Sequence, residues 1–111
     1  MDGQEAKRKA KRKDVRYEIK VRFPDQENFT SLVVKDLSAT GIRVVATRLV
    51  KSGDILDIKM CVNGRDIQCQ GKVAWSLLLS PCLGGISPFD VGMEFSQMNQ
   101  DDKEFLERLV S

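Results

Sequence analysis

The chain has 111 residues, of which 41% are hydrophobic and 31% are charged, and its net charge at pH 7 is +2. This length and composition predict one globular domain and argue against wholesale disorder. Histidine is absent and the three cysteines form no CxxC pair, so the usual general acid/base and zinc-ligand sets are missing. No apolar run approaches the roughly 20 residues of a membrane span, and the N-terminus lacks the apolar segment of a signal peptide. We therefore expect a cytoplasmic protein without membrane insertion.

The beginning of the chain is strongly basic. Residues 7–16 hold seven Lys or Arg and one acid. Residues 1–11 show no hydrophobic periodicity, which predicts a flexible basic arm followed by a single domain over residues 12–111. Taken alone, such a segment is typical of solvated charge or of a loose contact with a polyanion.

Strands are predicted from alternating hydrophobic and polar residues. The first covers residues 16–23, where Tyr17, Ile19, Val21 and Phe23 alternate with charged side chains until Pro24 closes the run. Two more are expected over residues 31–36 and 41–47, with the turn-prone sequence "DLSATG" between them.

The pair Asn63-Gly64 is the strongest hairpin signal in the chain and favours a type I′ turn. A two-residue loop there pairs Met60 with Ile67, and it fixes which residues of the following strand face inward. The inward set is then Ile67, Cys69, Val73 and Trp75.

This register makes two further predictions. Trp75 is expected to belong to the core rather than to a ligand surface. Cys61 lies opposite Asp66 and faces outward, whereas Cys69 faces inward, so a disulfide between the two cysteines is excluded.

The C-terminal third predicts an excursion, a short strand and a helix. Residues 76–90 are rich in Gly, Pro and Ser, and at least one of the three leucines at 77–79 should be exposed or lie in an interface. The alternative is a longer hairpin with Leu78 outward. A last short strand is expected over residues 91–95, followed by an amphipathic helix over about 100–110 with Asn99 as its N-cap. Six strands and one helix favour a six-stranded antiparallel β-barrel over about residues 16–95.

No phosphate-binding glycine loop, GxSxG or HExxH sequence is present, so catalysis is not expected. Two other patterns remain. Arg12 and Arg16 form RxxxR before the first strand, and Asp36, Ser38 and Gly41 form D-x-S-x-x-G at a turn. Each pattern alone also has a structural interpretation: Asp or Ser caps backbone N–H groups, and Gly supplies a positive φ.

In combination these patterns resemble the PilZ domain, the bacterial receptor module for cyclic di-GMP. The likeness also covers "GKVAW" at residues 71–75, "VGMEF" at residues 91–95 and the closing helix, and thus roughly residues 8–110. Arg8 and Arg12 satisfy RxxxR as well. In the family, however, the second arginine directly precedes the first barrel strand, which selects Arg12 and Arg16.

The resemblance implies a ligand site but no cofactor and no metal. The implied cyclic di-GMP-binding residues are Arg12, Arg16, Asp36, Ser38 and Gly41. The auxiliary candidates are Arg8, Lys11, Trp75 and Gly92. The basic residue at Lys11 occupies a position that is linked in the family to the number of bound ligand molecules.

The residue types suit such a ligand, which carries two guanines and two phosphates. Arginine can bond guanine O6 and N7 in a fork or pair with phosphate. The carboxylate of Asp36 can accept from guanine N1–H and N2–H₂, Ser38 offers a hydroxyl, and Gly41 permits a close approach. We expect the ligand to order the basic arm over the barrel and so to create a surface for a downstream protein partner.

Two other functions compete with this interpretation. One is a PilZ-like protein-interaction module that does not bind nucleotide. The other is a nucleic-acid-binding barrel that uses the basic arm, but one Trp and one Tyr provide no long aromatic platform, which argues against nucleic acid. The protein is expected to be a monomer or a weak dimer.

Overall fold

The computed structural model describes residues 17–79 and 87–110. All neighbouring strands pair antiparallel and close a barrel in the order β1-β2-β3-β6-β5-β4, which confirms the predicted fold class. The elements are β1 (Tyr17–Arg22), β2 (Thr30–Leu37), β3 (Gly41–Ala46), β4 (Ile55–Val62), β5 (Arg65–Leu78), β6 (Phe89–Ser96) and α1 (Gln100–Val110).

The barrel interior is filled by one side of each alternating strand. In β1, Ile19 and Val21 are buried between exposed charged neighbours, as the period-2 pattern predicts. Leu106 of α1 is fully buried in the same cluster, so the helix completes the barrel core. The four inward residues of β4 are Leu56, Ile58, Met60 and Val62.

The β4–β5 hairpin has the predicted register. Asn63 and Gly64 have φ values of 48° and 84°, which suit a turn with two left-handed residues. Met60 pairs with Ile67, as predicted from the two-residue loop. Cys61 lies opposite Asp66 while Cys69 is buried, and both thiols are free, so the prediction for these two cysteines is confirmed.

The prediction of an excursion over residues 76–90 is wrong at both ends. Strand β5 continues to Leu78, and β6 begins at Phe89 rather than at residue 91, because the strands pair through Leu77 with Asp90 and Leu78 with Phe89. Residues 80–86 lie outside the described residues. Leu77, Leu78 and Leu79 are 61%, 45% and 42% exposed, which confirms that a single core cannot take all three.

The barrel wall has a register shift in β2. Val34 pairs with the buried Val44, whereas Asp36 pairs with Arg43, whose neighbours in β3 face the core. A bulge of this kind adds one residue and interrupts the strict alternation of side chains. Asp36 therefore lies on the outer face, although its spacing from Val34 would otherwise point it into the barrel.

A second register shift in β5 makes the predicted inward position of Trp75 wrong. Val73 pairs with Met93 on the inner face, but Trp75 pairs with Gly92 on the outer face. The extra residue in β5 reverses the side on which the tryptophan lies. Trp75 is accordingly 43% exposed and is not part of the core.

Helix α1 begins at the predicted cap. The Asn99 side-chain oxygen accepts a hydrogen bond from the Asp102 N–H at 2.8 Å. Asp102 is buried and accepts a hydrogen bond from Arg65 Nε, also at 2.8 Å, and the same guanidinium lies 5.1 Å from the centre of the Phe105 ring. Within the described residues, no helix has the length and apolar character needed to cross a membrane.

Candidate functional site

An open groove of about 600 Å³ lies on the outer wall of the barrel, where β2, β3, β6 and β5 are neighbours. This volume is in the range of roughly 300–1,000 Å³ that is usual for small-molecule sites. The groove brings together five of the residues selected from the sequence, namely Asp36, Ser38, Gly41, Trp75 and Gly92.

Ser38 holds the turn between β2 and β3. Its N–H donates to the Gly41 carbonyl at 2.9 Å, and its hydroxyl oxygen accepts from the Gly41 N–H at 3.1 Å and the Thr40 N–H at 3.3 Å. This is the capping role that a short hydroxyl side chain commonly has in turns. Ser38 is nevertheless exposed at the groove, so the same residue shapes the turn and remains within reach of a ligand.

Gly41 is required for close packing of strands and not for an unusual backbone angle. Its φ is not among the positive values found in the described residues, so the turn interpretation of this glycine is wrong. A Cβ at this position would lie 2.5 Å from the Met93 carbonyl oxygen of the paired strand β6. Because that neighbour is backbone, any side chain here would push β3 and β6 apart.

Asp36 presents a carboxylate to the groove. Its side chain is 71% exposed, and its ion-pair partner is Arg43, with Oδ2 and Nη2 3.8 Å apart. This distance exceeds that of a good charge-assisted hydrogen bond. The carboxylate oxygens of Asp36 are thus available to donors that enter the groove.

Trp75 lies flat against strand β6 at Gly92. A Cβ on Gly92 would be 2.5 Å from the indole Nε1 of Trp75, so only glycine leaves room for the ring. The half-exposed indole offers one face to the groove, and aromatic faces stack on nucleobases.

Two charged groove residues were not selected from the sequence. Arg43 and Glu94 both line the groove, and Arg43 is the only cation among the described residues that line it. Alternation in β3 indicates only that Arg43 faces outward, and nothing in the sequence distinguishes it from other outward arginines. Its pairing with both Asp36 and Asp90 depends on the β2 register shift and on the unexpected start of β6.

The remaining sequence-selected residues are not part of this geometry. Arg8, Lys11, Arg12 and Arg16 lie outside the described residues. The part of the chain that the structure describes contains no group of three or more His, Cys, Asp or Glu that could hold a metal ion.

Ionisable groups away from the groove have ordinary structural explanations. Arg22 donates to Asp57 through Nε at 3.0 Å, and this hydrogen bond lowers the pKa of the Asp57 carboxyl. Burial raises the pKa of the Cys69 thiol to about 12, so this thiol is protonated at neutral pH and is a poor nucleophile.

Comparison with models of protein families matches residues 6–111 to the PilZ domain, and thus nearly the whole chain. No match was found among curated proteins or among solved structures.

Proposed function

Because the chain belongs to the PilZ domain family, whose members are in general non-catalytic receptors for cyclic di-GMP, we propose that this protein binds cyclic di-GMP in the outer groove. One observation carries the proposal: the two register shifts bring Asp36 and Trp75 to the outer face of the same groove, beside the Ser38 turn. A carboxylate and an aromatic face are the two groups needed to hold a guanine by its edge and by its plane.

In this proposal Asp36 accepts hydrogen bonds from guanine N1–H and N2–H₂. Trp75 stacks on a purine, and Gly92 keeps the indole close to the wall. The Ser38 hydroxyl, which donates to the Gly41 carbonyl at 3.2 Å, turns its one proton to the ligand instead, and Gly41 keeps β3 and β6 close enough to form the floor of the groove.

The charge of the groove indicates that another part of the chain must contribute. Asp36 and Glu94 carry two negative charges and Arg43 one positive charge, so the described lining does not attract a dianion by itself. The basic segment before β1 contains the missing cations. We propose that Arg12 and Arg16 bind the two phosphates and the edge of the second guanine. Arg8 and Lys11 are auxiliary contacts in this assignment.

The entry of the chain into the barrel supports this assignment. The β1–β2 pairing extends as far as Ile19 with Leu32, and Tyr17 and Val34 each lie two residues beyond that pair in their own strands. Both residues line the same opening between the two strands. The basic segment therefore joins the barrel only two positions along β2 from Asp36.

Ordering of the arm is the proposed signal. The ligand neutralises the mutual repulsion of seven closely spaced cations, so the arm is ordered only when the ligand is bound. The new surface then contacts a protein partner in the cytoplasm. The exposed Leu77 lies two residues after Trp75 in β5 and is a candidate contact for this partner.

Titration calorimetry with cyclic di-GMP tests the binding proposal. Wild type should bind, and Asp36→Ala should weaken binding about 10- to 150-fold, as expected when hydrogen bonds to a charged group are lost. Asp66→Ala removes an exposed carboxylate from the β4–β5 hairpin and should leave the affinity unchanged. A linear dinucleotide and single-stranded RNA serve as competing ligands. Absence of heat with the cyclic ligand, or equal binding of RNA, would contradict the proposal.

Limited digestion with trypsin tests the ordering of the arm. The seven Lys or Arg of residues 7–16 are potential cleavage sites. Saturating cyclic di-GMP should slow cleavage in this segment, as followed by mass spectrometry, while the Asp36→Ala variant should need an about 10- to 150-fold higher ligand concentration for the same protection. If the wild-type protein is saturated with ligand and its cleavage is unchanged, the proposed ordering of the arm is wrong and the binding proposal stands.

A further inference from the structure

Asp90 is an acidic side chain buried on the outer wall of the barrel. Strand alternation places it outward, because its neighbour Val91 faces the core. Its side chain is nevertheless only 9% exposed. Oδ1 has no hydrogen-bond partner among the described residues, and Oδ2 lies 3.5 Å from Nη1 of Arg43.

Arg43 lies between Asp90 and the groove. Its Nη2 is 3.8 Å from Asp36, so one guanidinium is shared between a buried carboxylate and an exposed one. Neither distance is that of a close hydrogen bond. The Nε of Arg43 is also buried and, within the described part of the chain, has no partner, while the side chain as a whole is 39% exposed and lines the groove.

Unsatisfied buried polar groups are uncommon because they cost stability, so their presence in a folded protein requires an explanation. The chain can form a complete pair of the same kind elsewhere: Arg65 donates directly to the equally buried Asp102 at 2.8 Å. The loose geometry at Asp90 is therefore not a general property of this barrel, and it occurs where the groove lies.

We propose that Arg43 is an additional ligand-binding residue that makes the groove specific for guanine, and that Asp90 is its positioning residue. The inference rests on the proposed binding of cyclic di-GMP. The Watson–Crick edge of guanine presents N2–H₂, N1–H and O6 in succession, so a carboxylate beside a guanidinium matches donors and acceptor in order. Asp36 takes the two donors, and Arg43 donates to O6.

Adenine presents an amino donor at the position where guanine presents the acceptor O6. That donor would face the guanidinium of Arg43, which has no acceptor. The buried carboxylate of Asp90 attracts Arg43 away from Asp36 and so prevents the two groove residues from neutralising each other. Asp36 and Arg43 therefore read opposite ends of one base edge.

Titrations with cyclic di-GMP and cyclic di-AMP, the latter by displacement, test this inference. Arg43→Gln should weaken cyclic di-GMP binding about 10-fold or more and reduce the ratio of cyclic di-GMP affinity to cyclic di-AMP affinity, since the charge-assisted hydrogen bond to guanine O6 is lost. Arg43→Lys should not restore the preference, because a point charge does not reproduce the planar donor group. Asp90→Asn should reduce the same preference by a smaller factor.

Matched variants separate this role from folding and from general charge. Arg48→Gln removes an arginine of similar exposure that pairs with Asp25 outside the groove lining, and it should leave both affinities unchanged. If Arg43→Gln does not fold because Asp90 is left alone, the double variant Arg43→Gln/Asp90→Asn removes the buried charge and is measured instead. Asp102→Asn should lower stability without changing the base preference.

The outcomes distinguish this inference from the proposed function. If wild type does not bind cyclic di-GMP, the proposed function fails together with the inference. If wild type binds and the Arg43 variants bind equally well with the same base preference, only the role of Arg43 is overturned. If Arg43→Lys restores wild-type preference, the side chain acts as a simple charge and the guanine-edge assignment is wrong.

Discussion

Among the described residues, two arginines pair with a buried aspartate on different walls of the barrel, and only one of these two pairs makes a close hydrogen bond. The arginines Arg65 and Arg43 are 43% and 39% exposed, and their partners Asp102 and Asp90 are 8% and 9% exposed. The Arg65 Nε–Asp102 Oδ1 distance is 2.8 Å, whereas the Arg43 Nη1–Asp90 Oδ2 distance is 3.5 Å. In the part of the chain that the structure describes, Arg43 Nε and Asp90 Oδ1 have no partner. Similar burial thus gives a close ion pair under the helix and leaves one donor and one acceptor unpaired, within the described residues, beside the outer groove.

The largest expected difference between the two regions concerns the core under the helix. Leu106→Ala should lower the free energy of unfolding by about 2–5 kcal/mol, because a fully buried leucine is replaced and a cavity remains. Urea unfolding measures the loss. The control Leu77→Ala removes a 61% exposed leucine beside the groove and should change stability by less than about 0.5 kcal/mol. Comparable losses at the two positions would contradict the division between a structural wall and a binding wall.

The two arginines themselves provide the most direct comparison. Arg65→Gln should cost about 1–3 kcal/mol of unfolding free energy, because it leaves the buried carboxylate of Asp102 without its charged donor. Arg43→Gln should cost less, since its contact with Asp90 is already loose. Urea unfolding of the two variants shows which substitution lowers the free energy of unfolding more. A larger loss for Arg43→Gln would mean that the groove pair is a stabilising element after all.

The helix cap Asn99 and the turn residue Ser38 allow the same comparison with smaller expected losses of stability. Asn99→Ala should cost about 1 kcal/mol, because the Asp102 N–H in the first turn of α1 loses its acceptor. Ser38→Ala removes exposed hydrogen bonds of a turn and should cost only about 0.5 kcal/mol. Thermal unfolding measures both, and cyclic di-GMP affinity should fall for Ser38→Ala alone. If Asn99→Ala also lowers the affinity for cyclic di-GMP at a temperature where the variant is fully folded, the helix cap is not purely structural and this prediction is wrong.

The smallest expected effect is on stability in acid. Arg22 holds the pKa of Asp57 below its usual value in the folded protein. The resulting stabilisation is present above the ordinary carboxyl pKa of about 3.9 and is lost as the pH falls through the lower folded value. Arg22→Gln should therefore flatten the decline in stability below about pH 4. Lys72→Gln removes an exposed cation of β5 and is the control. If the stability of the two variants depends on pH with equal slopes, Arg22 is not the cause of the lowered Asp57 pKa. The effect is small because the Asp57 side chain is 35% exposed.

Local signals were sufficient for much of the fold. Asn63-Gly64 specifies a turn with two left-handed residues, and that turn alone fixes the β4–β5 register. Asn99 was identified as a cap because an amide side chain before an amphipathic run has few other structural roles. The barrel followed from six alternating segments, and the family from RxxxR together with D-x-S-x-x-G.

The details that could not be predicted depend on pairing between distant strands. The inward position expected for Trp75 assumed strict alternation from Val73, and alternation cannot reveal an extra residue in β5. The Gly- and Pro-rich sequence of residues 76–90 predicts an irregular excursion that includes Asp90, but the burial of Asp90 depends on neighbours from other strands. Arg43 was not selected for the same reason, because its importance comes from two carboxylates that the barrel brings to it.

The two register shifts also bear on how such a protein changes over generations. Point substitutions at Asp36 or Trp75 would alter the groove and leave the barrel intact. Loss of the one extra residue at the β2 or β5 shift would restore regular alternation and leave Asp36 opposite Arg43, or Trp75 opposite Gly92, on the outer face. The shifts are therefore the places in β2 and β5 where a single-codon deletion leaves the groove side chains outward, whereas a deletion just before either shift would turn the residues that follow it to the opposite face.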